Sequence, residues 1–327
     1  MGDEKLSDGD KAIPLEIKKS NVVLRSLKCI VVAIVAVVLI IGLFLYFNIY
    51  LPLGEGPAGP DVPASPFNTV WNEQTVLLLG IGDSITDGFG ASKGFSYFDR
   101  LISNPDGDSE DMMGKHLSKV FPKLTSLNKS ESGSTSFDHI RMARQIERQP
   151  GHVFGLAVIT SGGNDLIHNY GKTPPKEGAM YGATRQQAQP WVDNYRQRLD
   201  EMVVTIHSRF PGGCQIFLAN IYDPSDGTGD TKEFFTGLPV WADGLALLAD
   251  YNRIIVECAT QHDYVHLVDI HTPFLGHGIH CRKFWTGHYV WSDPTYWYFI
   301  NIEDPSERGY DAIRRMFLLR MIEVFVD

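Results

Sequence analysis

Cysteine is scarce in this sequence and arranged in no pattern. Cys29, Cys214, Cys258 and Cys281 form no CxxC pair and no zinc spacing, which excludes a disulfide-stapled scaffold and a cysteine-rich metal centre. Cys29 lies in an apolar run, so the other three allow at most one internal disulfide and otherwise read as buried thiols, small hydrophobes in effect. Basic charge is also short. Lys and Arg number 29 against 39 Asp and Glu, a formal net charge of −10, and no basic stripe runs along any segment. A nucleic-acid partner is therefore not expected; an acidic balance of this size speaks to solubility. No internal repeat is present. With 43% apolar and 21% charged residues over 327 positions, the chain has ordinary globular composition and enough length for a sizeable core.

Long hydrophobic runs are absent except for one. Cys29 to Phe47 carries no charge and, at 1.5 Å per helical residue, spans about 28 Å, close to the hydrocarbon core of a bilayer. Lys18, Lys19, Arg25 and Lys28 precede it, and basic residues are sparse after it until Lys93. The positive-inside rule then places residues 1–28 in the cytoplasm, 29–47 as a single transmembrane helix, and the rest outside. The span reads as retained. A cleaved signal peptide would have a shorter apolar region followed by a small-x-small site, whereas Tyr46-Phe47-Asn48-Ile49-Tyr50 follows here. Residues 1–20 are polar and charged, as in a disordered tail. Residues 48–74 contain five prolines between Pro52 and Pro66 and predict an extended, semi-rigid linker.

From residue 75 onward apolar runs alternate with amphipathic stretches. Strands are expected at Thr75–Gly80, Leu124–Asn128, Gly155–Thr160, Gln215–Asn220 and Val265–Ile270. Helices are expected at Asp111–Val120, Phe137–Arg148, Gln187–Arg209, Ala242–Gln261 and Glu307–Val326. The alternation predicts a parallel sheet covered on both faces, an α/β domain over 75–327. Sites in such sheets lie at the carboxyl ends of strands. Three polar clusters fall there: Gly82-Asp83-Ser84, Ser132-Gly133-Ser134 and Gly162-Gly163-Asn164-Asp165.

A serine hydroxyl needs a base to become a nucleophile, and acyl transfer needs donors aimed at an oxyanion. Ser84 supplies the hydroxyl and a backbone N–H, Gly133 an unobstructed N–H, and Asn164 a side-chain amide. In this order, at strand ends, these blocks resemble the SGNH (GDSL-type) hydrolase family. The resemblance covers Thr75 to the C-terminus. It implies a flavodoxin-like three-layer α/β/α sandwich and an esterase or acyltransferase acting on a small-molecule, lipid or glycan ester. No metal or organic cofactor is implied. Ser84 is then the nucleophile, with Gly133 and Asn164 in the oxyanion hole.

The family's fourth block, Asp-x-x-His-Pro with a glycine following, departs here. Pro305 and Gly309 fix the register, which puts Asn301 in place of the family's Asp and Asp304 in place of its His. An unperturbed Asp is a poor base for a serine hydroxyl at neutral pH. A relocated base is expected in the segment Asp269 to Cys281, which holds His271, His277 and His280. His280 is favoured, with His277 as the fallback and Asp304 as the orienting carboxylate. The competing reading is a degenerate site that binds an acylated or glycan ligand without fast turnover. Asp83 is expected to bond the backbone of its turn, and Asp165 to cap a helix. The aromatic stretch from Phe284 to Phe299 suits a substrate groove, a sugar-stacking surface, a bilayer contact or a loop packed over the sheet edge.

Overall fold

The structure, a computed structural model, describes residues 15–47, 53–54, 56–231 and 238–326. The chain divides into two compact units, residues 1–51 and 52–327. In the first unit a helix runs Leu15–Leu45. It begins inside the stretch expected to be a disordered tail; the rest of that expectation, residues 1–14, lies outside the described residues. Arg25–Leu45 is long and apolar enough to cross a membrane, and none of it is buried.

The second unit is built on five parallel strands in the order β2-β1-β3-β4-β5: β1 Thr75–Ile81, β2 Leu124–Asn128, β3 Val153–Ile159, β4 Cys214–Ala219 and β5 Val265–Val268. Leu78 of β1 pairs with Leu156 of β3 and with Ser126 of β2. Parallel strands feed right-handed helical crossovers, so helices cover both faces. Period-two alternation sorts the strand side chains between them. Val76, Leu78, Leu156, Val158, Phe217 and Ala219 face a core completed by the helices Tyr97–Ile102 and Glu307–Phe325. Leu79, Ile81, Ala157, Ile159, Ile216 and Leu218 face the other, closed by Ser136–Arg144, Arg185–Ser208 and Gly244–Gln261. The result is the three-layer α/β/α sandwich. Chain order reverses between β1 and β3, and the crevice beyond their carboxyl ends is where such sheets bind ligands.

The expected linker is corrected over residues 56–74; residues 48–52 and 55 lie outside the described residues. Ala58, Val62 and Phe67 are buried in the first core, and a short 3-10 helix spans Ser65–Asn68. Lys115 Nζ donates to the Val62 carbonyl at 2.6 Å, and Ala58 N–H donates to Asp311 at 3.3 Å. Proline and glycine stiffen this segment, but its few apolar side chains find a place on the domain. It is a strap that belongs to the fold, not a spacer. The expected helix at Asp111–Val120 is likewise broken, into a turn at Glu110–Met112 and a helix at Leu117–Val120.

Candidate active site

Ser84 begins a one-turn helix, Ser84–Asp87, directly after β1. Asp83 is its N-cap and accepts from the Ile85 N–H at 3.2 Å, satisfying one of the donors a helix start leaves open. Gly82 permits the approach of β3: a Cβ there would lie 2.3 Å from Thr160 Oγ1. Thr160 in turn donates to Asp83 at 2.9 Å.

The second and third blocks are bonded to the first. Glu131 N–H and Ser134 Oγ both donate to the Gly82 carbonyl, each at 3.0 Å. Gly133 between them has φ 79°, the left-handed region that favours glycine. Asn164 Nδ2 donates to the Ser134 carbonyl at 2.9 Å. Asp165 is buried and accepts from the Ser136 N–H at 2.8 Å, which ties it to the first turn of the helix Ser136–Arg144, whose N-cap is Thr135 rather than Asp165. Ser84, Gly133 and Asn164 thus sit on three turns held together at one sheet edge.

The fourth block meets them from the other side. Asn301 Nδ2 donates to Asp304 Oδ2 at 2.6 Å, and its side-chain oxygen accepts the Asp304 N–H at 3.2 Å. Ile302 between them has φ 63°, a strained conformation for a β-branched residue of the sort that concentrates at functional sites. The Tyr222 hydroxyl donates to the Glu303 carbonyl, fixing this turn against the end of β4. Asp304 is buried, and burial lifts its pKa above the ordinary carboxylate range; the nearby Ser84 hydroxyl and the hydrogen bond from Asn301 oppose the rise. Burial also pushes Glu303 up to about 7, with repulsion from Asp304 and Asp83 adding to it. Asp83 rises to about 6, again chiefly by burial. Three carboxylates with raised affinity for protons therefore surround the serine. Such coupled groups titrate as a set.

Ser84, Asp83, Asn164, Glu303 and Asp304 open into a cavity of about 150 Å³. Its apolar lining comprises Ile85, Leu166, Ile167, Tyr181, Trp241, Leu245 and Leu248.

Among the described residues no histidine lines this cavity, so the structure does not bring the expected relocated base to Ser84. His280 is buried, with Nε2 at 3.0 Å from the Asp230 carbonyl. His277 places Nδ1 at 2.9 Å from the Thr295 carbonyl and stacks on Trp297 at 3.6 Å. His271 places Nδ1 at 2.8 Å from the Ile221 carbonyl. The physical reason is Asp226. Its carboxylate accepts from the N–H groups of Gly276, Gly278 and His280 at 2.8, 2.8 and 2.9 Å and ties the loop to itself. Asp304, expected as an orienting carboxylate for a histidine, lines the cavity together with Ser84. Glu303 was not singled out in the sequence; the signal for it was an acidic pair at the register of the missing histidine.

Cys214, Cys258 and Cys281 are buried free thiols, and burial pushes Cys258 and Cys281 up to about 12. Among the described residues no group of His, Cys, Asp and Glu is arranged to hold a metal ion.

Residues 81–312 match the family model of the GDSL-like lipase/acylhydrolase family. Among solved structures, a lipolytic protein of the G-D-S-L family from Veillonella parvula is similar at 13% identity and a TM-score of 0.44, over 76% of this chain and 98% of that one. An acetyl xylan esterase from Geobacillus stearothermophilus is similar at 19% identity and a TM-score of 0.47, over 77% and 97%. No curated protein matches the sequence.

Proposed function

Because this chain belongs to the GDSL-like lipase/acylhydrolase family, we propose that it is a membrane-tethered, extracytoplasmic hydrolase of ester-linked acyl groups in which Ser84 is the nucleophile and Asp304 its general base. One observation carries the reading: the buried Asp304 carboxylate takes the family's histidine position, and it lines the same cavity as Ser84. A carboxylate at its ordinary pKa near 4 is a weak base for this task; burial brings it toward the working pH, where general-base catalysis is most effective.

In the proposed reaction Ser84 Oγ attacks the acyl carbonyl while its proton passes to Asp304. The oxyanion takes hydrogen bonds from the Ser84 N–H, the Gly133 N–H and the Asn164 amide. Collapse of the intermediate expels the alcohol, which receives the proton from Asp304. Water then attacks the acyl-serine, again with Asp304 as base, and the acid leaves. The apolar wall from Ile85 to Leu248 suits the acyl portion. A void of about 150 Å³ is the size of an engineered apolar cavity that holds benzene, which favours an acyl group of a few carbons over a long chain. The tether rests on the apolar stretch Arg25–Leu45 and the sidedness on the basic residues that precede it.

A second reading, a site that binds an acylated or glycan ligand with little turnover, draws on the lack of an imidazole among the described residues that line the cavity. A membrane-impermeant fluorophosphonate applied to intact cells carrying the full chain separates the readings. Labelling that disappears in Ser84→Ala is expected. Labelling only after lysis overturns the extracytoplasmic placement, and no labelling in either condition favours the binder.

A further inference from the structure

Between Phe284 and Trp291, His288 and Val290 lie against Gly276 of the domain, but three of the large rings face solvent. Phe284, Trp285 and Trp291 are 61, 69 and 76% exposed. They contact one another instead: Phe284 and Trp285 lie 5.0 Å apart, Phe284 and Trp291 6.5 Å, and Tyr289 and Trp291 4.9 Å. Exposed single apolar residues need no explanation, but a contiguous cluster of large rings does.

Its position supplies the explanation. The polypeptide joins this domain at Gly54 and Gly56. A Cβ on Gly54 would lie 2.6 Å from the Thr295 methyl, and Arg308 donates to the Gly56 carbonyl at 2.9 Å. The same Arg308 reaches Asp293 at 3.2 Å and Thr295 Oγ1 at 3.3 Å. Asp293 is two residues beyond Trp291. The aromatic cluster therefore stands beside the point where the chain arrives from its apolar helix, and only residues 46–53 intervene between Leu45 and Gly54. Fully extended, they reach about 30 Å.

We propose that Phe284, Trp285, Tyr289 and Trp291 form a lipid-interface contact, seated at the headgroup level of the bilayer that anchors the chain. This rests on the membrane tether proposed above. Tryptophan and tyrosine favour that level because their rings have an apolar body and a polar handle. The same segment continues to Glu303 and Asp304 at the cavity, so the contact sets the catalytic turn near the surface where an amphipathic ester partitions.

The test uses the full chain in phosphatidylcholine vesicles whose lipids are brominated near the headgroup. The apolar helix contains no tryptophan, so bromine quenching reports only on residues 52–327. Two of six tryptophans lie in the cluster, and quenching of roughly a third of the emission is expected. Trp285→Phe/Trp291→Phe should lose that quenching and keep wild-type fluorophosphonate labelling. Vesicle-bound wild type that is unquenched, or quenching that survives the double variant, overturns the contact alone. If copies then cross-link through the cluster, it is a protein interface. Failure of the chain to float with the vesicles overturns the tether, and the contact with it.

Discussion

At Asp304 two opposed effects meet. Burial disfavours its charge, while the nearby Ser84 hydroxyl and the hydrogen bond from Asn301 favour it. The sequence made its position legible, because Pro305 and Gly309 fix the register, but not its role, since the sequence says nothing of the burial that raises its proton affinity. The histidines failed for the converse reason. Their nearness along the chain suggested a base, yet the Asp226 carboxylate collects the N–H groups of their loop, and no sequence pattern announces that nest. Asp83 shows what such burial costs. Its folded pKa of about 6 lies above the ordinary 3.8, so the folded state holds this proton more tightly than the unfolded chain does. Stability is unaffected below about pH 4 and is lost as pH rises through 6. The shift corresponds to a loss on the order of 3 kcal/mol at most. Asp83→Asn keeps an acceptor for Ile85 and Thr160 and removes the charge. Thermal unfolding in detergent should show the variant equal to wild type near pH 4 and more stable at pH 8. An identical difference at both pH values would show that Asp83 carries no such penalty.

Among the elements, the strands were the most legible, because runs such as Thr75–Ile81 are apolar on both faces and have no other home. The short helices Tyr97–Ile102 and His271–Phe274 were missed; four to six residues are too few to show a 3.6-residue period. The helix Glu307–Phe325 was expected as a cover, but not its two fully buried arginines. Arg314 pairs with Asp108 at 2.5 Å and Arg315 with Asp111 at 2.7 Å, so partners about 200 residues away in sequence make their burial tolerable. The strap is not legible in the sequence, since proline content marks a stiff segment without saying what it lies against. Phe67 decides the matter. It is 1% exposed and packs on Trp71 at 5.3 Å, and Trp71 reaches Phe121 and Phe325. Phe67→Ala should lower unfolding stability by about 3–5 kcal/mol, the usual cost of emptying a buried aromatic site. A loss below about 0.5 kcal/mol, typical of exposed positions, would return the segment to a free linker.

For the whole molecule, the family, the layers and the switch point between β1 and β3 follow from patterns that extend over many residues. The chemistry depends on one turn, Asn301 to Asp304, where the sequence departs from its family. The proposed reaction requires that Asp304 move the Ser84 proton. The rate at which a fluorophosphonate modifies Ser84 in the purified full chain, followed from pH 4 to 9, tests this most directly. A base must be deprotonated to act, so the rate should climb through an ionisation above the ordinary carboxylate range and level off at higher pH. Asp304→Asn should slow it by about 10²- to 10⁴-fold, the usual worth of a general base. A rate in Asp304→Asn equal to that of the wild type across the range would contradict the account.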